Sequence, residues 1–217
     1  MTKHKAKRAI SVLHDVSFLK SATNETNFPP ATVPEIAIIG RSNAGKSSIL
    51  NTICGRKKLA LVSKTPGKTQ LINFFSIKHN QIEVARIVDL PGYGYARVNK
   101  STKSFWNKEL LKFLKKRENL IGIILVTDIR HALGKLDKKI FFSLDRSKIF
   151  YHVLFNKSDK LNKSEQKKNI LSALTSFFLV LPKYKEKISQ SMFSAVKKEG
   201  AEELLLKLEL WLDSNSN

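Results

Sequence analysis

The chain has few cysteines, few acidic residues and no long apolar run. Cys54 is the single cysteine in 217 residues, which excludes an internal disulfide and a cysteine-rich metal site and fits a reducing compartment. No uninterrupted apolar run reaches the length of a bilayer span. His14 and Asp15 break the N-terminal apolar stretch too early for a signal peptide. We therefore expect a cytoplasmic protein.

Acidic residues are scarce relative to basic ones. The chain has 18 Asp and Glu against 39 Lys and Arg, a formal net charge of +21. An excess of this kind favours a polyanionic partner, either nucleic acid or an acidic membrane surface. A general lysine bias is the alternative explanation, because Ile, Asn and Lys are all abundant in the chain.

Short apolar runs alternate with helical patterns from about residue 35 onwards, which is typical of βαβ units around a mainly parallel sheet. Strands are predicted at residues 35–40, 71–78, 84–92, 120–128, 149–159 and 187–192, and the second and third form an antiparallel hairpin with a turn at residues 79–81. Helices are predicted at residues 46–53, 101–117, 135–147, 164–178 and 200–212. We expect one domain over residues 31–217, preceded by a basic tail and lead-in over residues 1–30.

The stretch GRSNAGKS, at residues 40–47, fits the pattern G-x-x-x-x-G-K-[ST] between a predicted strand and a predicted helix. This context predicts a phosphate-binding loop whose backbone N–H groups surround the β-phosphate of a nucleotide. Lys46 would reach the β- and γ-phosphate oxygens, and the Ser47 hydroxyl would coordinate Mg²⁺. A glycine-rich turn with a chance lysine is the alternative, and the flanking strand and helix disfavour it.

Two later motifs complete a guanine nucleotide site. DLPG, at residues 89–92, predicts that Asp89 holds Mg²⁺ through water and that the Gly92 amide contacts the γ-phosphate. In NKSD, at residues 156–159, the Asp159 carboxylate can accept the two N–H donors that guanine, unlike adenine, offers on one edge. Asn156 would brace the loop and the base, and the Lys157 stem would cover the base plane.

Two further stretches are too short or too common to be informative alone, and their roles are predicted from their places relative to the other motifs. FSA, at residues 193–195, can direct the Ala195 amide toward guanine O6. TPGKTQLINFF, at residues 65–75, lies where a GTPase needs a mobile threonine to complete the Mg²⁺ shell. Thr65 and Thr69 both qualify by chemistry, and an ordinary surface turn is the alternative.

These motifs together resemble the EngB (YihA/YsxC) family of bacterial GTPases, within the Era-like group. The resemblance covers roughly residues 18–212, and PGKTQLINFF and DLPGYGYA carry it most specifically, with support from VTDIRHALGKLD and FSAVKKEG. It implies a P-loop GTPase (Ras-like) α/β fold with a mixed, mainly parallel six-stranded sheet, helices on both faces and an optional extra N-terminal edge strand. It also implies a role in assembling the large ribosomal subunit, with a connection to cell division and septation.

The resemblance assigns roles to individual residues. It selects Thr69 as the switch threonine, and it implies Lys46, Thr69 and Gly92 as catalytic residues and Ser47, Thr69 and Asp89 (through water) as ligands of the Mg²⁺ cofactor. The residues implied to contact GTP or GDP are Gly40, Arg41, Ser42, Asn43, Ala44, Gly45, Lys46, Ser47, Ser48, Gly67, Lys68, Thr69, Gln70, Leu71, Asp89, Leu90, Pro91, Gly92, Asn156, Lys157, Ser158, Asp159, Phe193, Ser194 and Ala195.

Tyr93 stands where many GTPases place a catalytic glutamine. A tyrosine has no amide to orient the attacking water and no positive charge for the transition state, so unaided hydrolysis is expected to be slow. Asn43 matches the asparagine that some relatives use to hold a K⁺ ion against the phosphates, and the alternative is that Asn43 favours the turn of the loop. Arg97 and Arg130 are further candidate cations.

The leading hypothesis is a monomeric, GTP-switched assembly factor that binds ribosomal RNA or protein of the large subunit. The basic stretch at residues 97–117 follows the DLPG motif and is a plausible RNA-facing surface. The alternative is a GTPase that acts at an anionic membrane. Stable membrane association is not expected, because the sequence offers no lipidation motif and Thr2 stands where myristoylation needs glycine.

Overall fold

The computed structural model of the protein describes residues 15–56, 59–60, 71–94, 100–131, 133–144 and 149–215. The strands are β1 (Val16–Ala22), β2 (Glu35–Gly40), β3 (Ile72–His79), β4 (Ile82–Asp89), β5 (Leu120–Asp128), β6 (Phe150–Asn156) and β7 (Ile188–Phe193). The α-helices are α1 (Lys46–Ile53), α2 (Lys100–Lys116), α3 (Lys135–Ser143), α4 (Lys163–Val180) and α5 (Ala201–Asn215). Short 3₁₀ helices lie at Glu25–Asn27, Ser158–Lys160 and Pro182–Tyr184.

The strands form one seven-stranded sheet in the order β1-β3-β4-β2-β5-β6-β7. The β1–β3 and β3–β4 pairs are antiparallel, whereas β2 is parallel to both β4 and β5, and β6 is parallel to β5 and β7. The mixed, mainly parallel sheet of the P-loop GTPase fold is thus confirmed. The optional N-terminal strand is present as β1, which joins this sheet although it precedes residue 31.

Local chemistry explains where the elements begin and end. In the β3–β4 hairpin, Asn80 and Gln81 both have positive φ, as a two-residue turn between twisted strands requires, and His79 is therefore the last residue of β3 rather than part of the turn. Helix α4 begins one residue before the predicted start because Asn162 and Glu165 form a reciprocal capping box, with N–H···O distances of 2.9 and 3.0 Å.

Each face of the sheet carries its own apolar core. Helices α1 and α5 cover one face with side chains that include Ile49, Leu204 and Trp211. Helices α2, α3 and α4 cover the other face, with Phe113, Phe141 and Phe177 among the buried rings. Strand β5 is buried along its whole length because it lies between these layers. Within the described residues, no helix is long and apolar enough to cross a membrane.

A buried ion cluster lies at the start of β2, at the end of the sheet opposite the candidate site. The Glu35 carboxylate is fully buried and accepts hydrogen bonds from Arg117 Nη2 at 2.6 Å and Arg86 Nη1 at 3.2 Å. Both arginines also donate to backbone carbonyls of the segment before β2, at Pro29 and Pro30. Because the two guanidinium groups hold that segment and β2 together, the chain reaches β2 in a fixed orientation.

The absence of a side chain at Gly122 in β5 allows helix α5 to pack closely against the sheet. A Cβ atom at Gly122 would stand 2.4 Å from Cε3 of Trp211, whose ring stacks on Phe150 with centroids 5.5 Å apart. We expect Gly122→Ala to lower the free energy of unfolding by about 1–3 kcal/mol, because the indole and its helix must move away. Urea denaturation measures this loss.

The matched control is the same alanine in a Trp211→Leu background, where the overlapping ring is absent. There Gly122→Ala should cost clearly less, as expected for two side chains that touch. Equal losses in the two backgrounds would show that the contact with Trp211 is not the reason for the glycine.

Candidate nucleotide-binding site

The predicted motifs meet at the carboxyl ends of the parallel strands. The loop after β2 carries residues 40–47, β4 ends at Asp89, β6 ends at Asn156, and β7 ends at Phe193. Adjacent parallel strands bring these ends to one side of the sheet, which is where open α/β folds bind ligands. The structure therefore brings together four stretches that are spread over residues 40–195 of the sequence.

The loop between β2 and α1 has the geometry of an anion site. Gly45 is the N-cap residue of α1 with a φ of 99°, a left-handed conformation that glycine adopts readily, and the first amides of the helix have no partner within the helix. A Cβ atom at Gly45 would stand 2.2 Å from Asn156 Nδ2, so only glycine fits between this loop and β6. Asn43 also has a positive φ, 63°, which agrees with its alternative role in forming the turn.

Ser47 and Asp89 present oxygen atoms suited to Mg²⁺. Ser47 Oγ lies 3.4 Å from Asp89 Oδ2, while Asp89 Oδ1 is buried without a hydrogen-bond partner among the described residues. Burial raises the pKa of Asp89, and the nearby Lys46 ammonium and Ser47 hydroxyl act to lower it. Hard oxygen donors with a spare lone pair fit a magnesium ion. In the described part of the chain, no group of three or more His, Cys, Asp and Glu side chains could hold a metal ion.

Lys46 lies beside the DLPG loop. Its Nζ is 3.0 Å from the ideal Cβ position at Gly92, so the ammonium and the Gly92 backbone face the same space. The loop is fixed to β2 by backbone bonds, from Leu90 N to Ile38 O at 3.1 Å and from Tyr93 N to Gly40 O at 3.3 Å. A γ-phosphate in this space would contact both groups.

The Tyr93 side chain is buried in the core. Its side chain is only 4% exposed, and its hydroxyl donates a hydrogen bond to Asp137 Oδ1 at the start of α3. The Tyr93 carbonyl accepts from Ser42 N at 3.0 Å and from Ser42 Oγ at 3.2 Å. Burial raises the pKa of both Tyr93 and Asp137. Tyr93 therefore fastens the DLPG loop to the phosphate loop and to α3.

The guanine side of the site is organised around Asp159. Its Oδ1 accepts a hydrogen bond from the fully buried Ser194 hydroxyl at 2.7 Å, and this bond lowers the pKa of Asp159. Lys160 Nζ is 3.4 Å from Asp159 Oδ2. An oriented, ionised carboxylate is the group that guanine's paired N–H donors require.

Asn156 and Lys157 connect the base loop to the phosphate loop. Asn156 Nδ2 donates to the Ala44 carbonyl at 2.8 Å, as the bracing role predicts. Lys157 has a left-handed backbone and donates from Nζ to the Asn43 carbonyl at 2.7 Å, so its stem extends along the space where the base would lie. Lys157 Nζ also pairs with Asp128 Oδ2 at 2.9 Å.

Sequence reasoning missed the positioning side chains Asp128 and Asp137. It assigned Ser194 to the nucleotide and did not foresee that its hydroxyl orients Asp159. Although burial acts to raise the pKa of Asp128, hydrogen bonds from Arg130 and Lys157 hold it well below its usual range. Asp128 is the last residue of β5. Its place at the end of a predicted parallel strand was the sequence signal that could have identified it as a site residue. Arg130, a candidate catalytic cation, is bound to Asp128 through Nε at 2.9 Å and Nη2 at 2.7 Å.

Some predicted residues fall outside the described part of the chain. These are Thr65, Arg97 and the switch residues Gly67, Lys68, Thr69 and Gln70. Leu71 is described and is partly exposed just before β3. The assignments of Thr69 to magnesium and of these residues to the nucleotide stay predictions.

Comparison of the sequence with known proteins identifies the family to which the chain is similar. Residues 35–157 match the family model described as 50S ribosome-binding GTPase. The chain is 41% identical over 200 residues to a probable GTP-binding protein EngB of Coxiella burnetii (strain CbuK_Q154), covering 92% of this chain and 94% of that protein. It is also 41% identical over 204 residues to the protein of the same name in Hamiltonella defensa subsp. Acyrthosiphon pisum (strain 5AT), covering 94% and 96%.

Solved structures share the fold. A crystal structure of a probable GTP-binding protein EngB superimposes with a TM-score of 0.66 at 23% identity, covering 83% of this chain and 99% of that one. Era, in complex with MgGDPNP and nucleotides 1506–1542 of 16S ribosomal RNA, gives a TM-score of 0.61 at 23% identity, covering 82% of this chain and 56% of Era.

We expect Tyr93→Phe to destabilise the protein rather than slow the chemistry. Loss of the hydroxyl removes the donor to the buried Asp137 Oδ1, while Gly134 N still donates to Oδ2, and should lower the free energy of unfolding by about 1–3 kcal/mol. The rate of GTP hydrolysis at saturating GTP should change by less than about threefold, or about 0.6 kcal/mol. A tenfold slower rate with unchanged stability would instead place Tyr93 in the chemistry.

We expect Asp159→Asn to weaken GTP binding by roughly 2–4 kcal/mol, because the neutral amide cannot accept both guanine donors. Competition titration against a fluorescent GDP analogue measures the change. Ser194→Ala is the control: it removes the orienting hydroxyl but leaves the carboxylate, and should cost only about 1 kcal/mol. Equal competition by ATP and GTP for the unmodified protein would contradict guanine recognition by Asp159.

Proposed function

The chain belongs to the EngB family of GTP-binding proteins and is a GTPase, and on that basis we propose that it acts in assembly of the large ribosomal subunit. In this proposal the GTP-bound protein binds the subunit and leaves after hydrolysis. The observation that carries the nucleotide part is the meeting of the phosphate loop, Asp89 and Asp159 at one edge of the sheet.

GTP would be held from both ends. The amides of residues 43–47 and the Lys46 ammonium would bind the phosphates, while Asp159 would accept the guanine N–H donors beside the Lys157 stem. Ser47 and Asp89 would hold Mg²⁺, which when bound offsets the charge of the phosphate oxygens. Because Asn156 braces the Ala44 carbonyl, base binding and phosphate binding would support each other.

Hydrolysis would be slow without a partner. The Tyr93 hydroxyl is bonded to Asp137, so it is not free to orient the attacking water. Lys46, the Gly92 amide and Thr69 would still stabilise the transferred phosphoryl group. A K⁺ ion beside Asn43 would be a further source of positive charge.

A lysine face on α2 is the proposed contact with ribosomal RNA. Lys108, Lys115 and Lys116 are exposed, whereas Leu110 and Phe113 of the same helix are buried in the core. Lys112 pairs with Glu25 Oε2 at 2.6 Å, which makes it a weaker candidate for an RNA contact. The helix begins soon after the DLPG loop, so its position would depend on the γ-phosphate contact at Gly92.

Sedimentation with purified large ribosomal subunits tests the proposal. We expect tighter binding with a non-hydrolysable GTP analogue than with GDP. The triple change Lys108→Gln, Lys115→Gln and Lys116→Gln should weaken subunit binding by at least about tenfold and reduce the slope of log K against log salt by up to about three. The matched control is Lys163→Gln, Lys167→Gln and Lys168→Gln, which removes the same charge from the exposed face of α4.

Three results would count against the proposal. Absence of subunit binding in every nucleotide state would reject the ribosomal role. Equal losses in the two triple variants would show that total charge, rather than the α2 face, governs binding. Flotation with anionic vesicles in place of subunit binding would support the membrane alternative.

A further inference from the structure

A cavity of about 430 Å³ lies beside the phosphate loop, between that loop, the DLPG loop and the end of β5. Its walls include Arg41, Asn43, Tyr93, Asp128, Arg130 and Lys157. The start of α1, Asp159 and Ala195 do not line it. The cavity is therefore a neighbour of the nucleotide site and shares with it only the wall formed by the phosphate loop and Lys157.

Cations outnumber the single carboxylate in this cavity. Arg130 and Lys157 bind both oxygens of Asp128, whereas Arg41 lies on the side of Asp137, which accepts hydrogen bonds from Tyr93 and Gly134. Both carboxylates thus have donors within the fold, and Asp128 is the one carboxylate among the lining residues, against three cations. An anion entering the cavity would not have to displace Asp128 to find donors.

Two guanidinium groups are available to such an anion. Arg41 is exposed and makes no hydrogen bond or ion pair with any described residue; its Nε lies 3.5 Å from the ideal Cβ position at Gly94. The Arg130 side chain is 43% exposed and uses Nε and Nη2 on Asp128, which leaves Nη1 without a partner among the described residues. Planar guanidinium groups with spare N–H donors match phosphate oxygens.

We propose that this cavity binds a backbone phosphate of RNA, as a site separate from the nucleotide pocket. The inference rests on the proposed ribosomal function. The net charge of +21 favours a polyanion over a single small anion. Tyr93 in the wall is buried and bonded to Asp137, so it offers no surface on which a base could stack, and the other ring that lines the cavity is the exposed imidazole of His131. The spare guanidinium donors of Arg41 and Arg130 therefore assign the cavity to a phosphate of the RNA backbone.

Such a phosphate would contact the parts of the chain that respond to nucleotide. Arg41 belongs to the phosphate loop, and its backbone forms a parallel bridge with Tyr93, which directly follows Gly92. Arg130 shares Asp128 with Lys157, the residue that covers the base. RNA binding in this cavity would thus be linked to the nucleotide state, and the linkage would act in both directions.

The test compares Arg130→Gln with Lys168→Gln, which removes one exposed charge from α4. Binding of a short mixed-sequence RNA duplex and of large ribosomal subunits is measured with the full chain loaded with a GTP analogue. We expect Arg130→Gln to weaken both interactions by about tenfold and to lower the salt slope by about one. Lys168→Gln should change them by less than about twofold.

Affinity for GDP and the thermal midpoint are measured in parallel, so that a folding or nucleotide defect is recognised. Equal RNA binding by the two variants would overturn the inference, and so would an RNA loss no larger than the accompanying loss of GDP affinity. Loss of binding to phosphatidylglycerol vesicles with intact RNA binding would assign the cavity to a lipid headgroup and would also overturn it. If the unmodified protein binds neither RNA nor subunits in any nucleotide state, the proposed function itself fails.

Discussion

The close approach of the phosphate loop to the end of β6 is the constraint on which the site depends. Asn156 Nδ2 donates to the Ala44 carbonyl and occupies the space that any side chain at residue 45 would need. A larger residue at position 45 would have to push the phosphate loop away from the base loop. The glycine, its left-handed conformation and the asparagine thus form one unit, and the distance between phosphate binding and base recognition is set by that unit.

Tyr93 has a structural role, although it stands where many GTPases place a catalytic glutamine. Its backbone holds Gly40 and Ser42, and its hydroxyl holds Asp137 at the start of α3, so it connects the phosphate loop, the DLPG loop and a helix. A glutamine reaching toward a nucleotide could not make the buried contact with Asp137. The bond to Asp137 ties residue 93 to α3 and occupies its hydroxyl, which is the reason that slow unaided hydrolysis is expected.

The fold and the nucleotide motifs could be predicted because their signals are local. Apolar runs that end in GRSNAGKS, DLPG and NKSD placed β2, β4 and β6, and the parallel sheet brought their ends together. The positioning contacts could not be predicted in this way. Asp128 acts by sharing its oxygens between Arg130 and Lys157, and Ser194 acts by orienting Asp159, so each role depends on distances that only the folded chain defines.

The excess of basic residues has two explanations, a polyanionic partner or a general lysine bias, and the placement of charges in the fold is relevant to both. Glu35, Asp89, Glu109, Asp128 and Asp137 are buried, which is five of the 18 acidic residues. Glu35 pairs with Arg86 and Arg117, Asp128 pairs with Arg130 and Lys157, and Asp137 accepts from the Tyr93 hydroxyl, so these three carboxylates have partners within the fold. The exposed lysines on α2 and α4 consequently face solvent with few acidic neighbours. A lysine bias accounts for the number of cations, and burial of part of the acids adds to the excess of positive charge at the surface. The resulting outward field is the kind that steers a polyanion toward the protein.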